Sequence, residues 1–246
     1  ISYSFFYLGL TFMAGMALLS LFLYSPPEGF RERMIAEAGN VVKVGTAKAR
    51  ALVYDVDKPQ LIRTPLFYLM MISMTLGIAC GGMIINQGSP IVQLKFGMAA
   101  TAAASVVGAL AVGNTIGRFL WGSVSDRIGK VETVKILHLL QAFFMLMLLI
   151  LDNKVLFVLV LMGTTFCYGG LACLLAPVTG ELFGNRNISA NYSVAYTAYG
   201  LSALIGPLVI ANVRQITGEY TFGYVFAIAF SLIALVVTVG IERKAN

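Results

Sequence analysis

Residues 113–130 read GNTIGRFLWGSVSDRIGK, and their reading decides the fold class. The stretch has the apolar character of a membrane helix, yet it holds Arg118 within that length. It closes on the charged turn Asp126-Arg127-Ile128-Gly129-Lys130. Arg118 stands eight residues before Asp126, roughly 12 Å of helix rise and close to the middle of a ~30 Å hydrocarbon core. An arginine at that depth costs about 2.5–3.5 kcal/mol on insertion scales. It is therefore expected to face a cavity or a partner group.

The rest of the chain agrees with a membrane setting. Of 246 residues, 59% are hydrophobic and 11% charged, where a soluble domain carries about a quarter charged residues. This composition predicts an all-α polytopic membrane protein. Seven apolar segments are expected to span, roughly 2–24, 64–88, 99–121, 134–151, 155–179, 190–212 and 220–240. Helices satisfy their own backbone in lipid, and no stretch has the alternation of a barrel strand.

The net charge of +6 reflects topology and not nucleic-acid binding. The long connection 25–63 carries Arg31, Arg33, Lys43, Lys48, Arg50, Lys58 and Arg63. Arg127, Lys130, Lys135, Arg186, Arg243 and Lys244 fall on the same side, and only Lys95, Lys154 and Arg214 on the other. By the positive-inside rule, the long connection and the C-terminus are expected to be cytoplasmic, in the cell membrane. The expected organisation is 1–24 as the last helix of a preceding half, 25–63 as a central cytoplasmic linker, and 64–246 as a six-helix bundle. The chain opens on Ile1, already apolar, without a basic n-region or a small-residue cleavage site. It is expected to begin part-way through a longer protein.

No Ser/His/Asp grouping, nucleotide-binding loop or metal-ligand cluster occurs, so no enzyme, cofactor or metal is expected. Cys80, Cys167 and Cys173 lie in apolar runs without CxxC spacing and read as packing residues. His138 lies in the fourth span, where packing or a hydrogen bond to a neighbouring helix competes with proton handling. No acidic residue lies deep in a span. A proton-coupling carboxylate would be Glu181, near the inner surface, or lie outside this chain.

Arg118 has two readings. Its planar guanidinium suits a carboxylate, which makes it an anion contact. Otherwise it snorkels or is structurally paired. Asn114 and Trp121, about one turn to either side, are expected to share its face. Tyr192, Tyr196 and Tyr199 recur at i, i+4, i+7 and form one stripe on the sixth span. Asn191, Ser193, Thr197 and Ser202 add polarity there. Tyr192 suits an interfacial belt, whereas Tyr199 is deep enough to line a cavity. Gly77/Gly81 and Gly113/Gly117 are small-xxx-small pairs that permit close helix approach. Gly206-Pro207 is expected to bend or loosen the sixth span. Asn86-Gln87-Gly88-Ser89-Pro90 either ends the second span or lines a pathway mouth. Asp126, at a helix C-terminus, conflicts with the helix dipole and needs compensation from Arg127, a basic neighbour or another helix N-terminus.

The segment from Gly122 through Asp126, Arg127 and Gly129 to Lys130 resembles the G-x-x-x-D-R-x-G-R/K signature of the major facilitator superfamily. The span count around it resembles helices 6 to 12 of that fold. More narrowly, GNTIGRFLWGSVSDRIGK, PVTGELFGNRN and NYSVAYTAYGLSALIGP resemble the oxalate/formate antiporter family of organic-anion carriers. The resemblance implies the major facilitator fold and a secondary transporter that alternates access between two six-helix halves. Arg118 would be the eighth-helix arginine that meets substrate carboxylate, with Asn114, Trp121, Tyr196 and Tyr199 around it. Members handling dicarboxylate carry a further lysine on the eleventh helix, at the place of Tyr199 here. One cation instead of two favours a monocarboxylate such as lactate or formate over oxalate.

The same resemblance makes Gly122, Asp126, Arg127, Gly129 and Lys130 a gating element, whose acidic residue contacts the fifth helix when the cytoplasmic side is shut. Implied partners are the small organic anion, with or without a coupled proton or counter-anion, the N-terminal half of the same transporter, and the lipid bilayer. The alternative is a membrane sensor or binding subunit that keeps the carrier fold without transporting.

Overall fold

A computed structural model of the chain describes residues 2–22, 27, 29–30 and 55–245. They fall into two units, the first holding helix α1 and the second everything from residue 55 onward. Helix α1, Ser2–Ser20, is apolar on every described side, with Phe6, Phe12, Met16 and Leu19 exposed. That is the surface of a helix made for lipid or for other helices. Most of the expected linker lies outside the described residues.

The second unit opens with a short helix, α2 (Lys58–Leu61). Then follow α3 (Pro65–Phe96), α4 (Ala100–Ile128), α5 (Lys130–Ile150), α6 (Lys154–Phe183), α7 (Ile188–Ala195), α8 (Thr197–Thr217) and α9 (Thr221–Ala245). Six of these spans, with α7 and α8 counted as one, are long and apolar enough to cross a membrane. Residues 55–63, expected as linker, pack on this unit, and Leu61 is wholly buried.

Helix α3 is the hub. Two-thirds of its apolar window (67%) is buried, against 28% for α4 and for the α7–α8 span. It packs on α8, α9, α6 and α4, while α5 lies against α9 and α6. Two apolar clusters fill the bundle. One, around Phe67, Met70, Leu137, Leu171 and Phe183, occupies the end near residue 61. The other, around Met83, Ile91, Leu110, Phe157 and Tyr224, occupies the opposite end. Between helices in lipid there is little hydrophobic drive, so association rests on close packing and interhelical hydrogen bonds.

The α4–α6 contact shows this most clearly. A Cβ on Gly113 would stand 2.8 Å from the Met162 carbonyl, and one on Gly117 would stand 2.1 Å from that of Phe166. Gly170 does the reciprocal service for the Trp121 ring. A second seam runs beside the first. Thr165 Oγ1 donates to the Leu110 carbonyl at 2.9 Å, Gly169 faces the Asn114 carbonyl, and Cys173 Sγ donates to the Arg118 carbonyl at 3.4 Å. The helices run in parallel, so the contact steps every four residues along both. The pair Gly77/Gly81 serves differently, by seating the side chains of His138 and Tyr168 against α3.

Several expectations need correction. Helix α3 does not end near residue 88; it passes through Pro90 and stops at Gly97, where φ is +61°. A proline removes one backbone donor, and within a packed membrane bundle that interruption is tolerated. Helix α4 likewise runs to Ile128, so Asp126 and Arg127 belong to its last turn and the reversal is made by Gly129, φ +100°. The sixth span is not broken at Gly206-Pro207. Helix α8 is continuous there, and Gly206 lets it lie against the Ala79 carbonyl of α3. Tyr196, between α7 and α8, keeps helical dihedrals (φ −64°, ψ −17°), and its N–H donates to the Tyr192 carbonyl at 2.8 Å.

Candidate functional site

Helix α4 turns a largely uncovered face away from the bundle, and Arg118 projects from it. Its Nε donates to Asn114 Oδ1, one turn back, at 3.4 Å. The ion pairs among the described residues are Lys95–Asp152, Lys130–Asp126, Lys135–Glu132 and Lys135–Glu242, so no described carboxylate neutralises Arg118. That removes the paired-arginine reading within these residues and leaves most guanidinium donors unused.

The expected face is only partly realised. Asn114 and Arg118 are neighbours, but Trp121 is rotated into the α6 seam. It is buried, with its ring 5.5 Å from that of Phe166, and its indole N–H has no partner among the described residues. Three residues advance a helix by about 300°, four by about 400°, so a residue three further on swings sideways by more than one four further on.

The tyrosine stripe is assembled across the α7–α8 junction. The Tyr192 and Tyr196 rings meet edge-on at 5.4 Å. Those of Tyr196 and Tyr199 stack at 5.3 Å with 7° between planes. Tyr199 Oη stands 2.7 Å from Tyr168 Oη on α6. Sequence reasoning missed Tyr168. It lies on the same helix as Cys173, whose partly buried thiol donates to the Arg118 carbonyl. Helix α6 thus meets α8 through the Tyr168 hydroxyl and the backbone of α4 through Cys173. Its signal was a tyrosine beside the pair Gly169-Gly170, in the middle of an apolar span. One hydroxyl of a phenol pair donates to the other, which leaves one O–H to offer elsewhere.

At the end of α4, Asp126 is paired with Lys130, the basic neighbour that a carboxylate at a helix C-terminus requires. The Lys130 backbone N–H donates to Glu181 Oε2 of α6 at 3.3 Å. Arg127 is exposed, and no described atom lies within 4 Å of a Cβ on Gly122. Lys135 bridges Glu132 and Glu242 and ties the start of α5 to the end of α9. Residues 126–135, 181–187 and 242 thus share one end of the bundle with Asp55, which meets the Arg186 backbone. Lys95–Asp152 and Tyr220–Gln87 mark the other end. Both groupings agree with the division of basic residues.

His138 is wholly buried and bonded to a neighbouring helix. Its Nε2 is 3.0 Å from Ser73 Oγ, which is 2.6 Å from Thr238 Oγ1, so the three join α5, α3 and α9.

The family model described as Major Facilitator Superfamily matches residues 1–207. Among curated proteins, the chain is similar to the uncharacterised MFS-type transporter YhjX of Escherichia coli (strain K12). They are 25% identical over 151 residues, 61% of this chain and 38% of that protein. It is 25% identical over 206 residues to the oxalate:formate antiporter of Oxalobacter formigenes, 78% of this chain and 47% of that protein. It is 31% identical over 84 residues to apicoplast pyruvate carrier 2 of Toxoplasma gondii, 33% of this chain and 13% of that protein. The chain spans less than half the length of each of these relatives.

Proposed function

The chain belongs to the Major Facilitator Superfamily, and on that premise we propose that it supplies the C-terminal six-helix bundle of a secondary carrier for small organic anions. Residues 1–24 would be the last helix of the preceding half and 25–63 the cytoplasmic linker. The carrier would rock two halves around a mid-membrane site. The observation that carries this reading is Arg118, a cation at membrane depth with no described carboxylate partner and most of its donors unused.

Arg118 would hold the carboxylate through its planar fork, steadied by Asn114. The free O–H of the Tyr168–Tyr199 pair would meet a second substrate oxygen, and the stacked Tyr196 ring would supply an apolar wall. Trp121 would support the site through α6. One cation suits a single carboxylate, and a neutral hydroxyl pair suits a 2-hydroxy or 2-oxo monoacid such as lactate, or formate, better than a dianion such as oxalate. Two of the relatives are named for oxalate, formate or pyruvate, which supports the class.

Asp126, Arg127, Gly129 and Lys130 would form the cytoplasmic gate. Gly122, with open space where a Cβ would stand, would leave α4 flat where the other half closes on it. The distribution of basic residues supports a cytoplasmic C-terminus in the cell membrane. The deciding experiment is uptake and exchange of labelled lactate, formate and oxalate by the full-length protein in proteoliposomes. Saturable, competing transport of a monocarboxylate supports the reading. Absence of transport of all three, in vesicles containing correctly inserted protein, overturns it.

A further inference from the structure

Residues Asp55–Asp57 lie across the junction of α6 and α7 and make four polar contacts there. The Val56 N–H donates to the Phe183 carbonyl at 3.0 Å. The Arg186 N–H donates to Asp55 Oδ1 at 3.1 Å. Asn187 Nδ2 donates to Asp57 Oδ1 at 2.5 Å, and Asn191 Nδ2 donates to the Val56 carbonyl at 2.8 Å. Asn191 is wholly buried. Gly184, at φ +85°, leaves the space that Asp55 fills, since a Cβ there would stand 2.2 Å from Asp55 Oδ1. The strap is therefore fitted to its seat.

What it holds is α7, the first eight residues of the span that continues through the helical backbone of Tyr196 into α8. The first turn of a helix leaves its N–H groups without intrahelical partners, and the main contacts of α7 are with α6, α2 and α8. Yet α7 carries Tyr192 and leads into Tyr196, whose ring stacks on Tyr199. We infer that Asp55–Asp57 is a positioning strap that holds α7, and with it Tyr192 and Tyr196, in register against α6. The affinity of the tyrosine-lined site then depends on the cytoplasmic segment just before the bundle. The affinity half of this inference rests on the carrier reading above; the holding of α7 does not.

The test uses Asp55→Ala and Asn191→Ala in the full-length protein, with Asp55→Asn, which keeps an acceptor oxygen, as the rescue variant. Hydrogen exchange is expected to quicken in residues 188–197 and to stay unchanged in α4 and α5. The KM for the transported anion is expected to rise about three- to tenfold, the factor one net hydrogen bond supplies, at similar kcat, and Asp55→Asn should restore both. Unchanged exchange in α7 overturns the strap, as does loosening spread evenly over the bundle. Loosened α7 with unchanged KM overturns its link to the site. If the wild-type protein transports none of the anions, the carrier reading fails, and the strap is judged on hydrogen exchange alone.

Discussion

The Tyr168 and Tyr199 hydroxyls, 31 residues apart on α6 and α8, stand 2.7 Å from each other. Their bond crosses between the helix that is stitched to Arg118 and the helix that carries the aromatic stack. It joins the two parts of the proposed site without a charge.

Arg118→Ala should abolish uptake of labelled monocarboxylate while insertion and folding persist. Arg118→Lys keeps the charge and loses the fork, so KM should rise about 10- to 100-fold, the worth of one hydrogen bond to a charged group. Normal uptake by either variant would remove Arg118 from the site.

Tyr168→Phe and Tyr199→Phe should each weaken substrate affinity about tenfold or less, because each deletes one neutral hydrogen bond. The double variant should cost less than the sum, since the two hydroxyls act as a pair. Additive losses measured by binding titration would show that they act separately.

Cys173 is half-exposed beside the Arg118 backbone, whereas Cys80 and Cys167 are buried. A membrane-permeant thiol reagent should modify Cys173 first among these three. Saturating lactate or formate should slow that modification. Peptide mapping by mass spectrometry checks both, and equal rates with and without the anion would place the site elsewhere.

Asp126→Asn removes the pairing with Lys130 at the end of α4. It should slow exchange across the membrane several-fold more than it weakens equilibrium binding of the anion. A large loss of affinity at an unchanged exchange rate would speak against a gate.

Gly117→Ala would set a methyl group 2.1 Å from the Phe166 carbonyl, and backbone cannot yield as a side-chain end can. A loss of about 1–3 kcal/mol is expected for such overpacking, read as a lower midpoint in detergent unfolding. Gly108→Ala, which meets open space on the same helix, is the control and should leave the midpoint in place.

The membrane fold was legible because hydropathy over some twenty residues needs no knowledge of neighbours. The need for Asp126 to be compensated was legible for the same reason, being local to one helix end, although Arg127, a basic neighbour and another helix N-terminus were all open; Lys130 is the partner. The Gly113/Gly117 seam was legible as a class of contact, but its partner α6 was not. The missed features all depend on tertiary context. Trp121 was assigned to the Arg118 face by spacing alone, and the nearby Gly170 draws its ring the other way. The segment around Pro90 reads either as a helix end or as a pathway mouth, and the helix continues through it within its packing. Tyr168 and Asp55 gain meaning only from residues 31 and 131 positions away.

The two parallel seams between α4 and α6 carry a mechanical consequence. With glycine-to-carbonyl contacts on one line and hydrogen bonds on the other, neither helix can slide or roll against its partner without losing several contacts together. The pair behaves as a single beam, with Arg118 and Tyr168 along its middle and Asp126 and Glu181 near one tip. Asp126 lies roughly 12 Å along this beam from Arg118. A tilt of about 5° about the arginine then moves the tip by about 1 Å, enough to carry a hydrogen bond out of range. In the proposed carrier, a small tilt about the anion contact would thus be read at the surface as a contact made or lost.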